Sequence, residues 1–203
     1  MAISLKKGEK VSLVKKAEGL GEILINLNWN TRSENRGFLS RFFLGKGEPQ
    51  GIDLDLGCLY ELKSGRKGVV QALGKAFGSL KNPPYIALDG DDRTGAVTTG
   101  ENLRIDGNKI AEIRRVLVFT YIYEGVANWQ QADAAVTIKY PGAEDLIIKM
   151  DEYSSSKKMC ALALFTNQND QTFSVEKLVM FYNRHKELDV AYNWGLNWVA
   201  GRK

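Results

Sequence analysis

Arg115-Val116-Leu117-Val118-Phe119-Thr120-Tyr121-Ile122-Tyr123 is the stretch on which the fold turns. β-Branched and aromatic residues fill it, as in strands. Alternation sets Val116, Val118, Thr120 and Ile122 against Leu117, Phe119, Tyr121 and Tyr123, so neither side is polar. A strand with one face in water shows a polar row. This one reads as a central strand.

Working outward, Ala134 to Tyr140, Leu146 to Met150, Met159 to Phe165 and Phe173 to Tyr182 supply further strands. Pro141-Gly142, Ser154-Ser155-Ser156 and Asn167-Gln168-Asn169-Asp170 divide them. Upstream, Ile23, Ile25, Leu27 and Trp29 share a face opposite Asn26 and Asn28, until Asn30-Thr31-Arg32-Ser33-Glu34-Asn35 breaks the strand. Phe38 to Phe43 is too short to classify, and Val69 to Phe77 fits either a strand or a short helical piece. Ile52, Leu54, Leu56, Cys58 and Tyr60 alternate with Asp53, Asp55 and Gly57, while Tyr85 to Leu88 and the pair Leu103 and Ile105 are also extended. At the start, Ile3 and Leu5, then Val11 and Leu13, flank Lys7-Gly8-Glu9-Lys10, which predicts an opening hairpin of two half-buried strands. Asn108 to Ile113 is predicted as a helical turn capped by Asn108, Asn183 to Tyr192 as a short polar helix, and Tyr192 to Trp198 as a packed tail. Short strands at near-regular spacing predict an all-β antiparallel sandwich or barrel with one or two short helices, and 203 residues suit a single domain over 1–203.

With 44% hydrophobic residues the chain is too apolar to be disordered. No apolar run approaches the roughly 20 residues of a membrane span, and the first residues lack a secretory core, so a cytoplasmic location is expected. Cys58 and Cys160 sit in apolar runs without metal-ligand spacing and read as buried thiols. The net charge is +4, but the lysines are scattered in twos, as at Lys6-Lys7 and Lys157-Lys158. No nucleic-acid partner is expected from that pattern.

Against this basic background, Asp53, Asp55, Asp89, Asp91, Asp92 and Glu101 gather around the glycine-rich run 88–102. Residues i and i+2 of a strand lie about 7 Å apart on one side, so Asp53 and Asp55 look the same way. Two like charges about 4 Å apart cost on the order of 4 kcal/mol at an effective dielectric near 20, and a cation removes that conflict. Oxygen ligands with glycine turns suit calcium, whereas softer metals want His or Cys. An EF-hand is excluded by register, because a loop opening at Asp89 would carry Thr94 where the turn glycine belongs. Spacing alone leaves the three aspartates of the loop equally readable as Asx-turn residues. Catalysis finds less support: His185, the single histidine, lies in polar Asn183-Arg184-His185-Lys186-Glu187 and reads as a surface residue. Acids alone could serve a metal-assisted hydrolase or a glycosidase, the rival reading. Trp29, Trp129, Trp194 and Trp198 read as core.

Ser4-Leu5-Lys6-Lys7-Gly8, Val11-Ser12-Leu13, Asn26-Leu27-Asn28-Trp29-Asn30, Ile52-Asp53-Leu54-Asp55 and Gly90-Asp91-Asp92-Arg93-Thr94-Gly95 together resemble the TerD-type tellurium-resistance and stress-response family. Gly100-Glu101-Asn102-Leu103 and the tail from Asn197-Trp198 to Lys203 resemble its TerA branch. The resemblance implies a calcium-binding β-sandwich without enzymatic activity. It also implies other tellurium-resistance proteins as partners and peripheral association with the inner membrane face. By motif, Asp53, Asp55, Asp91 and Asp92 are the expected primary ligands, with Asp89 and Glu101 second. Asn102 and the Thr94-Gly95 backbone would add oxygens. Gly100-Glu101-Asn102 stands where family members have Gly-Asp-Asp-Glu, and Asn30 where they often have Asp. Fewer negative ligands imply weaker binding there.

Overall fold

The computed structural model describes residues 2–14, 19–29, 52–89, 100–124, 129–150 and 156–199. Its strands are Ala2–Ser4 (β1), Lys10–Ser12 (β2), Glu22–Asn28 (β3), Asp53–Leu62 (β4), Lys67–Gln71 (β5), Gly78–Ser79 (β6), Ile86–Leu88 (β7), Glu101–Asp106 (β8), Ile113–Glu124 (β9), Ala135–Lys139 (β10), Asp145–Lys149 (β11), Met159–Gln168 (β12) and Thr172–Tyr182 (β13). Two short helices, Trp129–Ala132 (α1) and His185–Ala191 (α2), complete it.

The strands form two sheets, a seven-stranded one in the order β1-β11-β10-β3-β8-β7-β6 and a six-stranded one in the order β2-β13-β12-β9-β4-β5. Pairing is antiparallel except for β1 on β11. This is the expected sandwich. β9 lies between β12 and β4, the central place that its sequence predicts. Val116, Val118 and Ile122 enter the main core with Ile23, Ile25 and Leu27 of the other sheet, as do Leu54, Leu56 and Cys58 of β4. The opposite face of β9, Leu117, Phe119 and Tyr121, joins a second cluster with Leu59, Met159, Leu188 and Trp194. That cluster explains the two apolar faces: α2 and the chain after it pack on the outside of the six-stranded sheet.

Three expectations are corrected. The opening strands are not a hairpin, because β1 joins β11 and β2 joins β13 in the other sheet. A real turn separates them, but each strand finds its partner across the sandwich. The 3-10 segment Gly107–Glu112 is capped by Asp106, whose side chain accepts from Asn108 N–H at 3.0 Å. The Asn108 side chain instead accepts from Gly21 N–H. His185 is not a surface residue, as detailed below. Val69 to Phe77, left open above, divides into the end of β5 and a 3-10 turn at Leu73–Lys75. Asn30 and Phe38 to Phe43 lie outside the described residues.

Candidate functional site

β5 pairs with β4 only from Gly57 to Glu61, so Asp53 to Leu56 run on beyond it. The facing sheet supplies a partner for this stretch of edge. Along β8, Glu101, Leu103 and Ile105 are buried and Asn102, Arg104 and Asp106 are half-exposed, the period of two that a strand with one buried face requires. The inward period thus puts a carboxylate where an aliphatic side chain is usual. Glu101 Oε2 accepts the Leu56 N–H at 2.5 Å, a charge-assisted bond across the sandwich. Glu101 is only 3% exposed, and Asp55, the neighbour of Leu56 in β4, is fully buried. Gly100 sets this entry: its φ is +68°, and a Cβ there would overlap the Leu27 carbonyl of β3.

The remaining predicted ligands stand elsewhere. Asn102 lies on the solvent side of the seven-stranded sheet, accepting from Asn26 Nδ2 at 2.9 Å. Asp89, on the same side, takes Arg104 Nε on both oxygens at 2.9 and 2.8 Å, and Arg104 also reaches Glu22 at 2.5 Å. The hydrogen bonds that Arg104 donates to Asp89 and then to Glu22 push its pKa up, so this guanidinium keeps its charge. The acidic group expected from the sequence is therefore divided: Glu101 reaches the edge of β4 from between the sheets, Asp53 opens β4, Asp55 alternates with the core residues Leu54 and Leu56 and stands opposite Tyr121 of the outer cluster, and Asp89 and Asn102 lie across the other sheet. Asp91, Asp92, Thr94 and Gly95 lie outside the described residues. Their connection leaves after Asp89, whose N–H donates to the Asn102 carbonyl at 2.9 Å, and returns at Gly100. Both ends are thus next to Glu101. Among the described residues no three acidic, His or Cys side chains gather to hold a metal.

A second polar constellation, missed in the sequence, fixes the chain after α2. Arg115 of β9 donates to Glu61 on neighbouring β4 at 2.7 Å and to the carbonyls of Tyr192 and Asn193 at 3.0 Å. Its guanidinium stands 3.8 Å from the Trp194 ring centroid. Lys67 Nζ donates to the Trp194 carbonyl, and Trp194 Nε1 donates to the Tyr60 carbonyl. Buried Asp189 accepts from Gly195 N–H, Leu196 N–H and Trp198 Nε1 at 2.8, 2.9 and 3.1 Å. His185 opens α2 among Phe119, Tyr121 and Trp198, with ring centroids 5.4, 5.2 and 5.0 Å away. Burial pulls its pKa down to about 4. The available signal was the spacing His185, Leu188, Asp189, Tyr192, one face of a helix, together with an outer face of β9 that needed cover. Trp129 and Trp194 are buried, and Trp29 and Trp198 half-buried. Cys58 and Cys160 are free, buried thiols whose pKa burial pushes up.

Residues 1–139 match the family model of the TerD domain. Over 198 residues, 98% of the chain, the sequence is 41% identical to the tellurium resistance protein TerA of Alcaligenes sp, covering 57% of that protein. It is 33% identical over 137 residues to the stress response protein SCP2 of Bacillus subtilis (strain 168), covering 64% of this chain and 65% of that one. The chain therefore spans less than two thirds of the length of these relatives. A homologue of the telluride resistance protein TerD, SCO6318 from Streptomyces coelicolor A3(2), has a similar fold, with a TM-score of 0.56 and 18% identity over 84% of this chain and 95% of that one.

Proposed function

Because the chain belongs to the TerD family, in its TerA branch, we propose that it is a calcium-binding, non-enzymatic interaction module in bacterial tellurium resistance and chemical-stress response. One observation carries the metal reading: Glu101 crosses from one sheet to the edge of the other and is buried there on the Leu56 N–H, next in sequence to buried Asp55. Buried carboxylates so placed cost several kcal/mol each unless neutralised or bonded. The donors are hard oxygens, as calcium prefers.

In this reading Asp53, Asp55 and Glu101 hold the ion together with Asp91 and Asp92 of the connection that starts and ends beside Glu101. Asp89 belongs to the Arg104 pair instead, and Asn102 to the amide pair with Asn26. Bound calcium would supply charge compensation, tying the two sheets together at this end and stabilising the native state by mass action. The non-enzymatic part is supported by the enclosure of the single histidine in aromatic rings and by thiols held protonated. Other tellurium-resistance proteins as partners, peripheral association with the inner membrane face and a cytoplasmic location belong to the same proposal. Among the described residues no helix is long and apolar enough to cross a membrane.

The test is calorimetry and thermal melting of the purified chain with calcium and with chelator. Binding heat and an upward shift in Tm are expected, both lost in Asp55→Asn and Glu101→Gln. Identical melts with no heat would refute the metal reading.

A further inference from the structure

The chain from α2 to Trp198 is a strap over the outer face of the six-stranded sheet, and its apolar seal is separate from the main core between the sheets. Segments sealed by their own small cluster, with few contacts to the main core, are the parts of a protein that open locally at low cost. The strap is latched by polar groups at its far side, Asp189 and Arg115, and by His185 at its near side. At His185 the latch is a ring fitted among three aromatic rings, with Nε2 buried and, among the described residues, no hydrogen-bond partner for it. A proton added at this nitrogen would put a charge in a site enclosed by three aromatic rings and shut off from water. In the released position it finds water.

We infer that the strap is a proton-sensitive cover: protonation of His185 releases residues 185–198 from the sheet while the sandwich between the sheets stays folded. Release would uncover Leu59, Leu117, Phe119, Tyr121, Met159 and Ala161, a continuous apolar surface now closed. Among the described residues, the titratable and charged groups on the elements around the ring are these. β9 presents the Tyr121 phenol, and β4 carries Asp55 in the register position opposite Tyr121. α2 itself carries Lys186, Glu187 and Asp189, with Arg184 just before it. The chain from Asn193 to Trp198 has no ionisable side chain. Buried Asp189, which accepts three hydrogen bonds within the strap, is the second anchor of the latch.

The sign follows from the two positions of the ring. Above about pH 6.5 the imidazole is neutral whether the strap is seated or free, and pH has no effect. Below that, the free strap takes up a proton and the seated one does not until about pH 4. Seating therefore weakens tenfold per pH unit across that window, roughly 300-fold in all.

A nitroxide label on Leu196→Cys reads this out in the full chain, since Leu196 is half-buried against the outer cluster in the seated strap and both native thiols are buried. The label should be slow at neutral pH and become mobile with a midpoint between about pH 4 and 6.5, while the far-ultraviolet signal of the sheets is unchanged. In His185→Phe on this background the transition should vanish from that window. His185→Gln, which does not titrate there, gives the same readout if the phenylalanine variant does not fold. A transition that persists in these variants shows that a group other than His185 governs release and overturns the inference. So does a label that stays slow down to about pH 4, or one that is mobilised only as the sheets melt.

Discussion

Replacing Asp189 by alanine removes one buried carboxylate and three hydrogen bonds, to Gly195 N–H, Leu196 N–H and Trp198 Nε1. Hydrogen bonds to a charged group contribute about 1.5–3 kcal/mol each. Gly195 is exposed and its N–H is rehydrated when the partner goes. Leu196 and Trp198 are half-buried. The low end of the range therefore applies, and the loss is about 3–4 kcal/mol. It is bounded by the free energy that seats the strap. Burial of the Trp194 and Leu188 side chains contributes about 5–8 kcal/mol before the entropy of ordering the segment is deducted, so Asp189→Ala brings the strap close to detachment. For a chain of this length 1 kcal/mol moves Tm by about 2–4 °C. Thermal melts followed by circular dichroism should fall by about 8–12 °C, and amide exchange at residues 194–198 should accelerate more than in β9. Asp189→Asn, which keeps one acceptor oxygen, should lose about half as much. A variant that melts within about 1 °C of the parent, with unchanged exchange at Leu196, would refute the assignment of Asp189 as the latch.

Gly57→Ala would place a Cβ 2.8 Å from the Phe119 ring and 2.9 Å from the Val70 carbonyl. Overpacking there should cost about 1–3 kcal/mol in chemical denaturation, and a neutral result would show that Phe119 moves freely. Arg104→Ala, by contrast, breaks two ion pairs, to Glu22 and Asp89, among side chains that are 30%, 46% and 39% exposed. It should cost no more than about 1 kcal/mol and less at high salt; a salt-independent loss of several times that would contradict a surface role. Both thiols should resist a thiol reagent in the native state and react fully in denaturant, since they are buried and kept protonated. Fast native labelling of either would show that the sheets open around it.

The division between what was legible and what was not follows the range of the interactions. Period and composition of the segment itself specify β9, β4 and the strands from 134 to 182, because inward and outward residues alternate whatever the partner is. The double apolar face of β9 even announced a second packing layer, although not which segment would supply it. Strand partners were not legible: β1 and β2 alternate equally well for any neighbour, and the turn between them is compatible with one sheet or two. His185 was misread because its chain neighbours are polar, while the aromatic rings enclosing it come from β9 and the tail. Glu101 looked like one more acid of a loop. Its period with Leu103 and Ile105 marks it as inward, a clue that counts only once β8 is known to face the core.

By itself the sequence determined the all-β class, most strand positions, the buried thiols and, through several motifs in order, the family. Each of these is local, a matter of which side chains a two-residue period can bury or which residues recur in one order. Tertiary structure alone decided that the acids divide, Glu101 going to the Leu56 N–H of β4 and Asp89 to Arg104, and that the strap from α2 to Trp198 closes the outer face of β9. Those contacts join residues as far apart as Tyr60 and Trp194, and such pairings depend on which strands the fold makes neighbours.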